Sequence, residues 1–183
     1  MTDTVLSLSG IGIVPLSGRG ITEQLSPIDN GQLRRTVNGS LVDTTLQGHR
    51  KYRITITGND VQPAAFASVW LGQASTVQCI TELAKRCTLV AGAAANVSLD
   101  RKPVSGSGRA IIRLADVEHI TTGVTFTGPT GGYEADIDFS NTALAGEAFV
   151  MFRPELSCLV VGLSTDKDEY AAAPGWALDL EEV

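Results

Sequence analysis

The chain has 183 residues, 43% hydrophobic and 19% charged, with a formal net charge of -6. That length is expected to fold as one domain, 1–183, with a core large enough to need neither metals nor disulfides as staples. The acidic balance, with no basic block, argues against nucleic acid as a partner, and no apolar run, the strand-sized Cys158–Leu163 included, approaches the ~20 residues that cross a bilayer.

Residues 1–30, rich in Gly, Ser and Ile, read as an extended N-terminal arm carrying one short strand, Val5–Ser9. Asp3 stands where an export signal would carry cationic residues, so no secretion is expected. A strand signal covers Thr36–Leu46, and Asn38-Gly39 within it predicts a hairpin with a two-residue type I′ turn, both residues at positive φ. Lys51–Thr57 alternates strictly, with Tyr52, Ile54 and Ile56 on one side and Arg53, Thr55 and Thr57 on the other. Gly58-Asn59-Asp60 then reads as a stop. Gln62–Leu71, with Pro63 near its start, reads as a short helix or a turn. Val77–Leu83 reads as a strand, and Thr81–Cys87 has room for one helical turn.

Further strands are expected at Arg109–Val117, Val124–Thr127, Tyr133–Phe139, Ala148–Phe152, Leu156–Leu163 and Trp176–Leu180. Tyr133–Phe139 alternates core-type residues with Glu134, Asp136 and Asp138, and Trp176, Leu178 and Leu180 share one face of the last strand. Frequent Gly, Pro and Asn breakers separate these runs. The expected fold is all-β and mainly antiparallel, a sandwich or barrel of about 8–10 short strands with at most one or two short helices.

Catalytic chemistry finds little footing. The two histidines, His49 and His119, lie in no nucleophile motif. Asp136 with Asp138, and Asp166, Asp168 and Glu169, offer oxygens to a hard cation, but solvated acids look the same and no EF-hand loop is present. Gly10-Ile11-Gly12 and Gly106-Ser107-Gly108 complete no phosphate loop. Cys79, Cys87 and Cys158 are odd in number and read as reduced, partly buried hydrophobes. The expectation is a non-enzyme with no cofactor, no catalytic residue and no metal. A hydrolase built on two of the acids is a distant rival. A carbohydrate- or receptor-binding β-sandwich is another, and it would require an exposed aromatic platform or a concave polar site.

Interaction residues are easier to name. Arg34 and Arg35 form a basic spot beside the Asn38-Gly39 turn, and Trp176 opens the closing strand. These five residues are the candidates for contacts between subunits, with Trp176 equally readable as core.

Arg19-Gly20-Ile21-Thr22, the hairpin string Leu33-Arg34-Arg35-Thr36-Val37-Asn38-Gly39 and the closing Trp176-Ala177-Leu178-Asp179-Leu180-Glu181-Glu182-Val183 carry a resemblance, joined by Lys51-Tyr52-Arg53 and Trp70-Leu71-Gly72. Together they resemble small virion-associated structural proteins of tailed bacteriophages. The resemblance touches both ends and the first third of the chain, and implies a tail, baseplate or fibre-attachment component. Such a protein is made in the host bacterial cytoplasm and built into the virion. Its partners would be copies of itself, in a ring or array, and other virion proteins, with no membrane involved. A capsid decoration (cement) protein is the alternative within the same class. No catalytic residue comes with the resemblance.

Overall fold

A computed structural model of the chain describes residues 4–28, 33–44, 50–90, 95–114, 117–128, 132–137, 146–167 and 173–183, the side chains of 114–121 excepted. All regular elements among them are β-strands, in agreement with the all-β, antiparallel expectation. The chain forms two compact units, one mainly Leu8–Thr76 with Ser157–Val183, the other mainly Val77–Leu156.

A seven-stranded sheet is built from β1 (Ser7–Leu8), β2 (Thr22–Ile28), β5 (Lys51–Asn59), β6 (Ala74–Gln78), β9 (Lys102–Pro103), β14 (Pro154–Asp166) and β15 (Gly175–Glu182). Its order is β1-β6-β14-β15-β5-β2, with β9 added on β14. In the first unit the inward residues meet in rungs. Val160, Leu180, Ile54 and Leu25 form one, and Leu163, Leu178 and Ile56 the next. Ile54, Ile56, Leu178 and Leu180 are fully buried, which is why a strict two-residue period was readable in β5 and β15. A bulge between Val160 and Gly162 leaves Val161 unpaired and shifts the register, so that Leu163 stands opposite Leu178.

Residues 4–28, read from sequence as part of an extended arm, are tied into the fold instead. β2 pairs with β5 from Thr22↔Thr57 to Ile28↔Lys51, and Leu6, Leu8 and Ile11 are buried. Arg19 is fixed by the buried Asp60 at the end of β5. Its Nη2 donates to Oδ1 at 2.8 Å and its backbone N–H to Oδ2 at 3.0 Å. The guanidinium, donating to the Asp60 carboxylate, holds that acid well below the usual carboxylate range. A depressed native pKa stabilises the fold above the unfolded value of about 4, and that contribution fades as pH falls below it. Thermal midpoints measured from neutral pH downward should therefore drop more steeply below about pH 4 in the native chain than in Asp60→Asn, which starts lower. Parallel curves would remove Asp60 from the acid response.

The second unit carries a six-stranded sheet of β7 (Leu83–Leu89), β8 (Asn96–Leu99), β10 (Arg109–Leu114), β11 (Val117–Thr127), β12 (Tyr133–Ile137) and β13 (Gly146–Phe152), in the order β7-β13-β10-β11-β12-β8. The outer strands β7 and β8 come back beside each other, and Lys85 on β7 reaches Asp100 just after β8 at 3.0 Å. The sheet thereby curls almost into a closed barrel. Its core is Leu89, Val97, Leu99, Ala110, Ile112, Ala135, Ile137, Ala148, Val150 and Phe152.

One helical expectation is corrected. The one turn of helix over Thr81–Cys87 is β7, which pairs with β13 from Leu83↔Phe152 to Leu89↔Gly146. Gln62–Leu71 takes its alternative, a set of turns, with Val69 N–H donating to the Phe66 carbonyl and Ala65 bridging to Gly12. The strand expected at Arg109–Val117 ends at Leu114, and Val117 already begins β11, whose pairing with β10 places Ile112 opposite Ile120.

Candidate functional site

β3 (Leu33–Arg35) and β4 (Leu41–Asp43) form a two-stranded sheet of their own, with Arg35 opposite Leu41 and Arg34 opposite Val42. The hairpin lies where Asn38-Gly39 predicted it, but the turn is a different one. Thr36 and Ser40 close a three-residue loop, Thr36 N–H donating to the Ser40 carbonyl at 2.9 Å and Gly39 N–H to the Thr36 carbonyl at 2.8 Å. Gly39 has φ of 80° and Asn38 is not at positive φ. This is a type I turn closed by a left-handed glycine, so the type I′ assignment does not hold. The longer loop is secured from the flanks, because Arg35 Nη1 donates to the Gly39 carbonyl at 3.0 Å and Thr36 Oγ1 to the Ser40 carbonyl at 3.3 Å. Neither bond exists in a minimal two-residue turn.

Apolar side chains crowd this hairpin. Val37 at its tip is 105% exposed, Leu33 67%, Leu41 56% and Val42 43%. The structure thus brings Arg34, Arg35, Asn38 and Gly39 together on one projecting element and adds four apolar residues that sequence reasoning did not single out. Their signal was present, as an apolar residue at the centre of a turn is unusual where turns favour Gly, Asn, Asp and Ser.

Trp176 is not part of that surface. It is buried, its ring edge-to-face with Phe66 at 5.3 Å and 81°, and its Nε1–H donates to the Ser17 carbonyl at 3.2 Å. It stands opposite Gly58 on β5 and covers it, so that a Cβ at Gly58 would collide with the indole. As a contact between subunits Trp176 is therefore corrected to a core residue.

His49, Asp138, Asp168 and Glu169 lie outside the described residues, as does the side chain of His119. Among the described residues no group of three or more His, Cys, Asp or Glu could hold a metal ion. The three cysteines are free. Burial, with a smaller push from the Glu182 charge, drives the Cys158 thiol up to about 12, and burial also raises Cys87. Both are thus inert thiols at neutral pH.

A cleft of about 430 Å³ on the second unit has Lys102, Ser105, Gly106, Val124, Phe126 and Tyr133 in its lining. Phe126 lies over Gly108 and stands edge-to-face with Phe152 at 6.4 Å. Tyr133 lies over Gly128, where an added Cβ would come within 2.9 Å of its ring. Lys102 Nζ donates to the Glu155 carboxylate, which also accepts from Gln78 Nε2 at 3.1 Å. That contact raises the Lys102 pKa and lowers that of Glu155, so both stay charged and neutralise each other. These groups come from four separate stretches of chain, which is why no local motif announced the cleft.

Among the described residues no helix is long and apolar enough to cross a membrane. No protein-family model and no curated protein matches this chain.

Proposed function

We propose that the chain is a structural component of a tailed-phage virion, associated with the tail, baseplate or fibre attachment, that acts by oligomeric assembly through the β3–β4 hairpin. The observation that carries this reading is the exposure of Leu33, Val37, Leu41 and Val42 on one small hairpin. A lone two-stranded hairpin is marginal in water, and three or more strands or a packing partner are needed to secure it. Burying each such side chain on a neighbour is worth about 1.5–3 kcal/mol, whereas leaving it in water gains nothing. Arg34 and Arg35 add charge to the same element, and each neighbouring copy carries a net charge of -6, so the contact is steered as well as apolar. A heterologous contact of this kind closes into a ring when its rotation allows. The likeness of Leu33–Gly39 and of the closing strand to phage virion proteins supports the particle as its setting.

Quantitative mass spectrometry of purified particles, scaled to the portal protein, tests this in the native chain and in Val37→Ser/Leu41→Ser. The native chain is expected at a small multiple of three or six copies. The variant changes only exposed side chains, so its stability should stay within about 0.5 kcal/mol while its copy number collapses. A native count in the hundreds would replace the tail by the capsid surface. Absence from the particle, or full incorporation of the variant, would overturn the proposal.

A further inference from the structure

We infer that the cleft of the second unit is a binding site for a neutral saccharide of one or two rings, a role separate from assembly. Its volume of about 430 Å³ falls within the ~300–1,000 Å³ of small-ligand sites. The chemistry of its lining selects the class. Phe126 and Tyr133 bring aromatic rings, the kind of apolar surface on which the C–H face of a sugar packs. Ser105 and Lys102 bring polar side chains to the same lining, groups that meet sugar hydroxyls. A purely apolar ligand would leave those polar groups unmatched. An anion would meet a lysine whose charge is already matched by Glu155.

The aromatic part of the lining is set before any ligand arrives. Phe126 and Tyr133 lie over Gly108 and Gly128, places where any side chain would collide with the ring. Phe126 is further held edge-to-face by Phe152, and the Phe126 and Tyr133 rings pack against the core of this unit. Tyr133 and Lys102 both line the same cleft. Little side-chain entropy is then lost on binding, the condition under which a shallow site still discriminates.

Titration of the ¹⁵N-labelled full chain with maltose, cellobiose, lactose and N,N′-diacetylchitobiose, and with digalacturonate as the charged control, tests the inference. At about 10 mM at least one neutral disaccharide should give saturable shifts, centred on the amides of Lys102, Ser105, Phe126 and Tyr133, for a dissociation constant in the millimolar range. Tyr133→Ala should weaken that binding by roughly tenfold or more. Because Tyr133 is partly packed, Ser105→Trp serves as the second variant; it adds bulk at an exposed position and should block the cleft in a folded chain. No saturable shift with any neutral probe would overturn the inference. So would shifts centred elsewhere, unchanged binding in Ser105→Trp, or binding of digalacturonate alone.

Discussion

Trp176→Ala is expected to destabilise the chain by about 3–5 kcal/mol, a large share of the ~5–15 kcal/mol that holds a typical domain together. The indole is 4% exposed, packs edge-to-face on Phe66, covers Gly58 and satisfies the buried Ser17 carbonyl. Truncation removes all of these contacts at once. The hole cannot close cheaply, because β15 stays hydrogen-bonded between β5 and β14 and keeps the backbone in place. Trp176→Phe separates the contributions. It keeps an aromatic ring beside Phe66 but leaves the Ser17 carbonyl without its donor, a loss of about 1–3 kcal/mol. Urea unfolding followed by circular dichroism reads both variants. Near-native stability in Trp176→Ala, combined with failure to enter particles, would return Trp176 to the interface and refute its burial.

The same residue shows what sequence can and cannot carry. Trp176, Leu178 and Leu180 were readable as one face because β15 is buried on one side only, and Ile54 with Ile56 on β5 for the same reason. Gly58 was misread as a stop. The strand runs through it to Asn59, and the glycine is there because a tryptophan on the next strand needs the space. Nothing local encodes a partner more than a hundred residues away. β7 was hidden by composition, since two of its inward positions are Lys85 and Cys87, and Lys85 sends its ammonium out to Asp100. The β10–β11 hairpin was hidden because no glycine or proline interrupts the run from Arg109 to Thr122. On the site side, Asn38-Gly39 marked the right place with the wrong turn. The type I′ rule assumes a minimal loop, and the Arg35 and Thr36 side-chain bonds that hold the longer one are tertiary detail. The cleft was invisible because Lys102, Phe126 and Tyr133 meet only after β11 has paired with β12 and β9 with β14.

Phe152→Ala should cost about as much in the second unit as Trp176→Ala does in the first, ~3–5 kcal/mol. Phe152 is 2% exposed at the end of β13, opposite Leu83 on β7, and stands edge-to-face with Phe126. Three of the most deeply buried members of this core are alanines, Ala110, Ala135 and Ala148, so its volume falls to the larger members, of which Phe152 is the largest. A sheet curled almost into a barrel holds those positions apart, and small neighbours cannot swing in to fill a missing ring. Phe152→Leu, which keeps most of the volume, should lose less than about 1.5 kcal/mol. Both tryptophans, Trp70 and Trp176, belong to the first unit, so their fluorescence would miss the event. Methyl NMR of Val97, Leu99 and Val150 during urea unfolding reads it directly. A loss below about 1 kcal/mol in Phe152→Ala would mean that the barrel collapses onto the vacancy. In that event Phe126 would not owe its position to Phe152, and the cleft would lose the rigidity on which its binding role depends.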